Sequence, residues 1–298
     1  MKKNYFCMLG AMLICAATVF TGCGNADDPV PGGDVPVIEN LPEKVIGKWI
    51  VEEKDGKPAL TNQKLVIDFK SATKLTVSLS YMSFWHSNDL YDYTINGNVI
   101  SCANQLNEHT YVNTTVKVNA IDDNKMYEDF SNIISIDGVE SIKMESKETL
   151  KRVTDDYTTA ILGLWEGRAT SEMGSEFDDG EDHRWEFKAD GTFYFYRKIN
   201  DEWQLSDDTF SDYFVEGPLL CSRWKNNVEG AVENREWWEI ESIENGVMKW
   251  KALRQKEDGT LYTATFQMTK VEERSVFTLM SESRGRGLFA RRWEWQHL

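Results

Sequence analysis

The residues with which this chain could do chemistry are few and scattered. His86, His109, His183 and His297 are its four histidines, and none lies near another histidine or a cysteine at the spacing of a metal site. No nucleophile elbow, phosphate-cradling glycine loop or dinucleotide fingerprint occurs. Arg284-Gly285-Arg286-Gly287 lacks the third glycine and the strand-to-helix setting that such a fingerprint requires. The acidic run Glu176-Phe177-Asp178-Asp179-Gly180-Glu181-Asp182 offers oxygens to calcium without the alternate spacing of a hand-type loop, and reads as a solvated hairpin connection. No spacing singles out a catalytic carboxylate pair among the acids. The sequence therefore reads as non-enzymatic, with no catalytic residue, no metal and no cofactor.

Cys23 is the exception, because its setting implies covalent modification. Lys2 and Lys3 form a short positive end, Met8 to Phe20 is almost wholly apolar, and Thr21 and Gly22 precede the cysteine, the order of a cleavable export signal. The apolar run falls short of the roughly 20 residues that cross a hydrocarbon core. Phe20-Thr21-Gly22-Cys23 resembles the bacterial lipobox, with Phe20 where that pattern more often has leucine. The resemblance implies a signal peptide over residues 1–22 and lipid attachment at Cys23, hence a membrane partner through two acyl chains. Gly24 at the second mature position, with Asp27 and Asp28 after it, resembles outer-membrane lipoproteins of Gram-negative gut anaerobes, periplasmic or surface-exposed. Residues 23–43 read as the lipidated cysteine and a flexible tether: Gly24 to Pro42 holds four of the six prolines and no aromatic residue. At about 3.1 Å per residue these 19 residues span roughly 60 Å.

Removing residues 1–22 takes away two lysines and no acid, leaving 31 basic and 49 acidic residues and a formal charge of −18. Such a body repels nucleic acid, whose phosphates are held by clustered Lys and Arg. Of five cysteines only Cys102 and Cys221 remain beyond the signal and Cys23, too few for a disulfide scaffold. They are read as small apolar residues at matching places in two copies of one module.

The duplication is legible in order. Ile46-Gly47-Lys48-Trp49 returns 116 residues later as Leu162-Gly163-Leu164-Trp165. Phe69-Lys70 before Thr73 answers Phe187-Lys188 before Thr192, and Tyr93-x-Ile95-x-Gly97 answers Tyr213-x-Val215-x-Gly217. Cys102 answers Cys221, Ile121 and Met126 answer Ile243 and Met248, and Lys151-Arg152-Val153 answers Thr269-Lys270-Val271. Within each copy the period is two. Trp185 and Phe187, then Phe193 and Phe195, alternate with polar or outward residues around the turn Ala189-Asp190-Gly191, and Leu65, Ile67, Phe69 with Leu75, Val77, Leu79 repeat the pattern in the first copy. Short helical lead-ins are expected before each glycine-tryptophan pair, as over 154–161. The fold class is all-β: two tandem small antiparallel meander barrels of about eight strands each, over 44–155 and 156–275, followed by a basic aromatic tail over 276–298.

Gly47-x-Trp49 and Gly163-x-Trp165, each opening a first strand, resemble the opening motif of lipocalin-like domains, and the resemblance covers both copies. It implies that each tryptophan plugs the closed end of its barrel and that a basic side chain near the last strand, Arg152 or Lys270, covers the ring through a cation-π contact.

Tryptophan separates the copies. The first holds Trp49 and Trp85; the second holds Trp165, Trp185, Trp203, Trp224, Trp237, Trp238 and Trp250. As strand neighbours, Trp237 and Trp238 face opposite sides, Trp238 with Ile240 and Trp237 with Glu239. Two functions follow as expectations. One is a lipid-anchored cell-envelope binding protein with a small apolar or amphipathic ligand in the second barrel, touched by Trp185, Trp203, Trp224 and Trp238. The other is a surface interaction or adhesion module that binds glycan or protein through exposed aromatics, both barrels being filled.

Overall fold

The computed structural model describes residues 36–81, 84–86, 89–171 and 180–272. The signal, Cys23, most of the tether, the acids of 176–179 and the C-terminal tail lie outside them.

The first copy contains α1 (Leu41–Lys44), β1 (Gly47–Lys54), β2 (Lys57–Pro58), a 3-10 turn over Thr61–Gln63, β3 (Val66–Ser71), β4 (Lys74–Ser78), β5 (Ser80–Tyr81), β6 (Phe84–Trp85), β7 (Tyr91–Asn96), β8 (Val99–Asn107), β9 (Thr110–Ile121), β10 (Lys125–Ile136) and β11 (Val139–Arg152). Eight of these close an antiparallel barrel in the order β1-β3-β4-β7-β8-β9-β10-β11, with β11 returning to β1 through Trp49 opposite Arg152. The second copy contains β12 (Gly163–Ala169), β13 (His183–Phe187), β14 (Phe193–Ile199), β15 (Glu202–Leu205), β16 (Asp208–Glu216), β17 (Leu219–Asn226), β18 (Asn234–Glu244), β19 (Val247–Gln255) and β20 (Leu261–Lys270). These form one curled sheet, β15-β14-β13-β12-β20-β19-β18-β17-β16. Its ends meet without a ladder. The β14–β16 seam is bridged by the Thr192–Asp212 pair, the Tyr213 amide on the Gly191 carbonyl at 2.8 Å and the Ser211 hydroxyl on the Phe193 carbonyl at 2.7 Å. Among the described residues no helix is long and apolar enough to cross a membrane.

The duplication holds at atomic detail. Trp49 and Trp165 are fully buried, and their indole N–H groups donate to the Val45 and Ile161 carbonyls at 2.7 and 2.6 Å. Burying a whole tryptophan removes roughly 200 Å² and contributes about 5 kcal/mol. Arg152 covers Trp49 at 4.1 Å from the ring centroid, and Lys270 covers Trp165 at 5.1 Å. Gly47 and Gly163 take φ of +110° and +109°, and a Cβ there would press on Arg152 and Lys270 at 3.1 and 3.3 Å. Glycine thus gives the left-handed backbone and the room for the cation. Tyr93 and Tyr213 each meet a phenylalanine edge-on, Phe69 and Phe187, and each hydroxyl donates 2.7 Å to a hairpin carbonyl, of Ser71 and Lys188. Met126 opposes Ile121 as Met248 opposes Ile243.

Three expectations are corrected. Cys102 and Cys221 are not equivalent: Tyr93 pairs with Cys102, but Tyr213 pairs with Ser222, so Cys221 is offset by one residue. A one-residue offset in a strand reverses the face. Cys102 packs on the first core, whereas Cys221 is buried outside the second barrel with Ile50, Val66, Phe214 and Leu219. Second, the end of the expected tether packs on the barrel. Leu41 is buried, and the Ile38 amide donates to Asn98 Oδ1 at 2.7 Å. Third, only the first lead-in is a helix. Over 154–161 a single turn closes, with the Ile161 amide on the Tyr157 carbonyl at 3.0 Å.

The barrels pack side by side. Trp85 and His86 lie against Phe214, centroids 5.1 and 4.5 Å away. Lys48 pairs with Glu216 at 2.5 Å and Lys64 with Glu239 at 3.0 Å. The Trp237 indole N–H donates to the Ser80 carbonyl at 2.8 Å.

Candidate ligand cavity in the second barrel

Alternation along β13, β14, β17 and β18 decides what lines the second barrel. Trp185 and Phe187, Phe193 and Phe195, Leu220 and Ser222, and Glu236 and Trp238 are all at inward positions, and between them lies a cavity of about 520 Å³. Trp250 from β19 and Phe266 from β20 complete its deep end. Trp185 and Trp238 are buried there, 8% and 4% exposed, while Trp224 is half-buried in the wall nearer the mouth.

Three of the four tryptophans expected at a ligand site therefore share one chamber. Trp203 does not. It pairs across β14–β15 with Lys198 and lies on the outer face, under the Arg184 guanidinium at 4.1 Å and the Lys198 ammonium at 5.8 Å. Its neighbour Gln204 takes the inward position. Trp237 likewise faces out, toward the first barrel.

The mouth is polar. Asp208, Asn226 and Asn234 sit on three adjacent strands, with the Asn226 amide donating to Asp208 Oδ1 at 3.0 Å and the Asn234 amide to Asn226 Oδ1 at 3.5 Å. Burial pushes the Asp208 carboxyl above the usual carboxylate range. Arg254 donates to Glu236 Oε2 at 2.5 Å and lies 4.6 Å from the Trp238 ring centroid. Buried His183 stacks on Phe195 at 5.6 Å and pairs across the ladder with Arg197, another wall residue. Desolvation raises the Tyr213 phenol to about 12, so it stays a hydrogen-bond donor. Of the acidic run, Asp182 is held by Arg168 through two contacts of 2.7 and 2.8 Å, which keeps its carboxyl below the usual range. Among the described residues no three His, Cys, Asp or Glu side chains converge as a metal site.

Phe195 and Trp250 are named in the sequence pattern without being assigned to the ligand site, and Phe266 and the polar mouth carry no assignment there. Parity along each strand would have found the aromatic members, since Phe195 follows Phe193 by two. Asp208, Asn226 and Asn234 carry no such signal, because they meet only through strand register.

The first barrel differs. Its interior is filled at one end by Trp49, Tyr93 and Phe69, and at the other it buries two acids directly opposite each other, Glu128 and Glu148. Ser146 donates to Glu148 Oε1 at 2.7 Å and Lys54 lies 3.0 Å from the same oxygen. Desolvation first, then the Glu148 charge, raises the Glu128 carboxyl to about 8.

No protein-family model and no curated protein matches the chain. Among solved structures it is similar to a protein of unknown function from the DUF3598 family of Nostoc punctiforme, at 9% identity over 76% of this chain and 97% of that one, with a TM-score of 0.21. A putative AttH from Nitrosomonas europaea matches at 11% identity over 78% and 98%, TM-score 0.21. A mutant of the vaccine antigen transferrin binding protein B from Haemophilus parasuis matches at 9% identity over 74% and 64%, TM-score 0.21. Similarity this distant transfers neither fold nor function, and the functional assignment rests on the cavity of this chain.

Proposed function

We propose that this chain is a lipid-anchored protein of the bacterial cell envelope that binds, without catalysis, a small apolar or amphipathic ligand in its second barrel. The observation that carries the reading is the cavity. Its volume of about 520 Å³ falls within the ~300–1,000 Å³ of small-molecule sites, and it joins an aromatic interior to a few convergent polar groups. Trp185, Trp224 and Trp238 are the ligand contacts. The adhesion reading requires filled barrels, whereas the second barrel encloses a cavity against which Trp185 and Trp238 are buried.

Anchorage follows from Phe20 to Cys23. Cys23→Ala is expected to move the protein from the membrane fraction to the soluble fraction, and a variant that stays with the membrane contradicts the anchor. Ligand binding is tested by native mass spectrometry of the intact protein, where a discrete non-covalent adduct is expected.

A further inference from the structure

The two ends of the cavity differ in chemistry. At the deep end, ring meets ring: Trp185 stands edge-on to Phe266 at 5.0 Å and 89°, and to Trp250 at 5.6 Å and 66°. Trp250 in turn lies 5.6 Å from Trp238 at 38°. These side chains have two torsions each, and every ring is fixed by the next, so the chamber keeps its shape instead of moulding itself to a flexible chain. Ring faces and ring edges carry opposite partial charge. A chamber offering both favours a flat ring, which can stack on one wall and meet another at its edge.

The mouth offers donors and acceptors in balanced supply. Among the residues lining the cavity, Arg197 and Arg235 are cationic and Asp208 and Glu236 are anionic, so the lining is neutral in sum. Arg235 already holds Glu233 at 2.7 Å and reaches Ser80 Oγ at 3.3 Å, and Arg254, next to the wall, is engaged by Glu236. Capture of a carboxylate or phosphate calls for a cationic fork facing it. Arg235 and Arg254 are turned to acids instead, Arg197 lies 5.7 Å from the Phe195 ring centroid, and the chain's formal charge of −16 repels anions at longer range. Asp208, Asn226 and Asn234 present the carboxylate and amide groups that suit hydroxyls and amides.

Building on the cavity reading above, we propose that the second barrel takes an uncharged ligand whose flat ring enters the aromatic chamber and whose hydroxyl or amide groups meet the Asp208–Asn226–Asn234 row at the mouth. Alkyl carboxylates and phospholipid headgroups are the wrong shape for the chamber and the wrong charge for the mouth.

The test is isothermal titration of the intact protein with two probes, 2-naphthyl β-glucoside and dodecanoate. The glycoside is expected to bind one to one and at least about tenfold more tightly. Asn226→Leu and, separately, Asn234→Leu are expected to weaken the glycoside by about tenfold while leaving the far-ultraviolet spectrum unchanged. Dodecanoate binding as tightly as the glycoside, or more tightly, overturns this inference and leaves the cavity reading standing. Binding of neither probe overturns both. The comparison of probes on the unmodified protein decides the matter even if a variant fails to fold.

Discussion

Trp49 and Trp165 are held by the same three devices: a carbonyl four residues upstream that accepts from the indole, a cation over the ring, and a glycine whose missing Cβ makes room for that cation. A different glycine shows what close approach demands. A Cβ on Gly167 would stand 2.0 Å from the Gln267 carbonyl oxygen and 2.6 Å from Met268 Cα, both backbone atoms that no rotamer change can move. Gly167→Ala is expected to cost about 3 kcal/mol or more in urea denaturation. Gly97→Ala, at φ +59° with open space around it, is expected to cost about 1 kcal/mol. Equal losses would contradict the packing described for β12 against β20. At this scale the sequence was informative about the tryptophans, because a glycine-tryptophan pair recurring in register says what must be buried. It was uninformative about the partner of Trp237. Alternation separates Trp237 from Trp238, but the partner of Trp237 is the Ser80 carbonyl, 157 positions away, and no local pattern encodes it.

At the scale of elements, the hairpins were legible and the register was not. Gly191 in the β13–β14 turn and Gly97 in the β7–β8 turn punctuate period-two runs, which is enough to place strands. The offset of Cys221 is written in the spacing, nine residues from Tyr93 to Cys102 but eight from Tyr213 to Cys221, whereas the Asp208–Asn226–Asn234 row arises from cross-strand pairing, which a single sequence does not carry. The pairing of β10 with β11 sets up a titration. Glu128, 3% exposed, faces Glu148 across the ladder, and its carboxyl is raised from 4.5 to about 8. The folded state therefore keeps a proton that the unfolded state releases. Stability from this group is fully present below about pH 4.5 and is lost as pH rises to about 8. The expected slope is on the order of 1 kcal/mol per pH unit within that window, measured by urea denaturation at several pH values. Glu128→Gln is expected to remove this slope and to stabilise the protein at pH 8. A slope unchanged by the substitution would contradict a buried, proton-bearing Glu128.

At the scale of the whole molecule, the barrels share a core of their own. Ile50 and Val66 from one meet Phe214, Leu219 and Cys221 from the other, with Trp85, Val153 and Trp237 around them and the Lys48–Glu216 and Lys64–Glu239 pairs at the margins. The two copies are therefore expected to unfold in one thermal transition. Phe214→Ala, which removes the ring stacked on His86 and edge-on to Trp85, is expected to cost about 3–5 kcal/mol and to separate the transition into two. Two transitions in the unmodified protein would contradict a shared core. The two copies differ in structure: the first barrel closes its ladder, and the second leaves the β14–β16 seam beside a chamber rich in tryptophan. The measurement that bears most directly on the proposed binding function is native mass spectrometry of the intact protein beside Ser222→Trp, which places an indole in the cavity from an inward position of β17. The expected result is a discrete one-to-one adduct on the unmodified protein that is absent from the folded variant. A bare unmodified protein, or the same adduct on both, would contradict a ligand held in the second barrel.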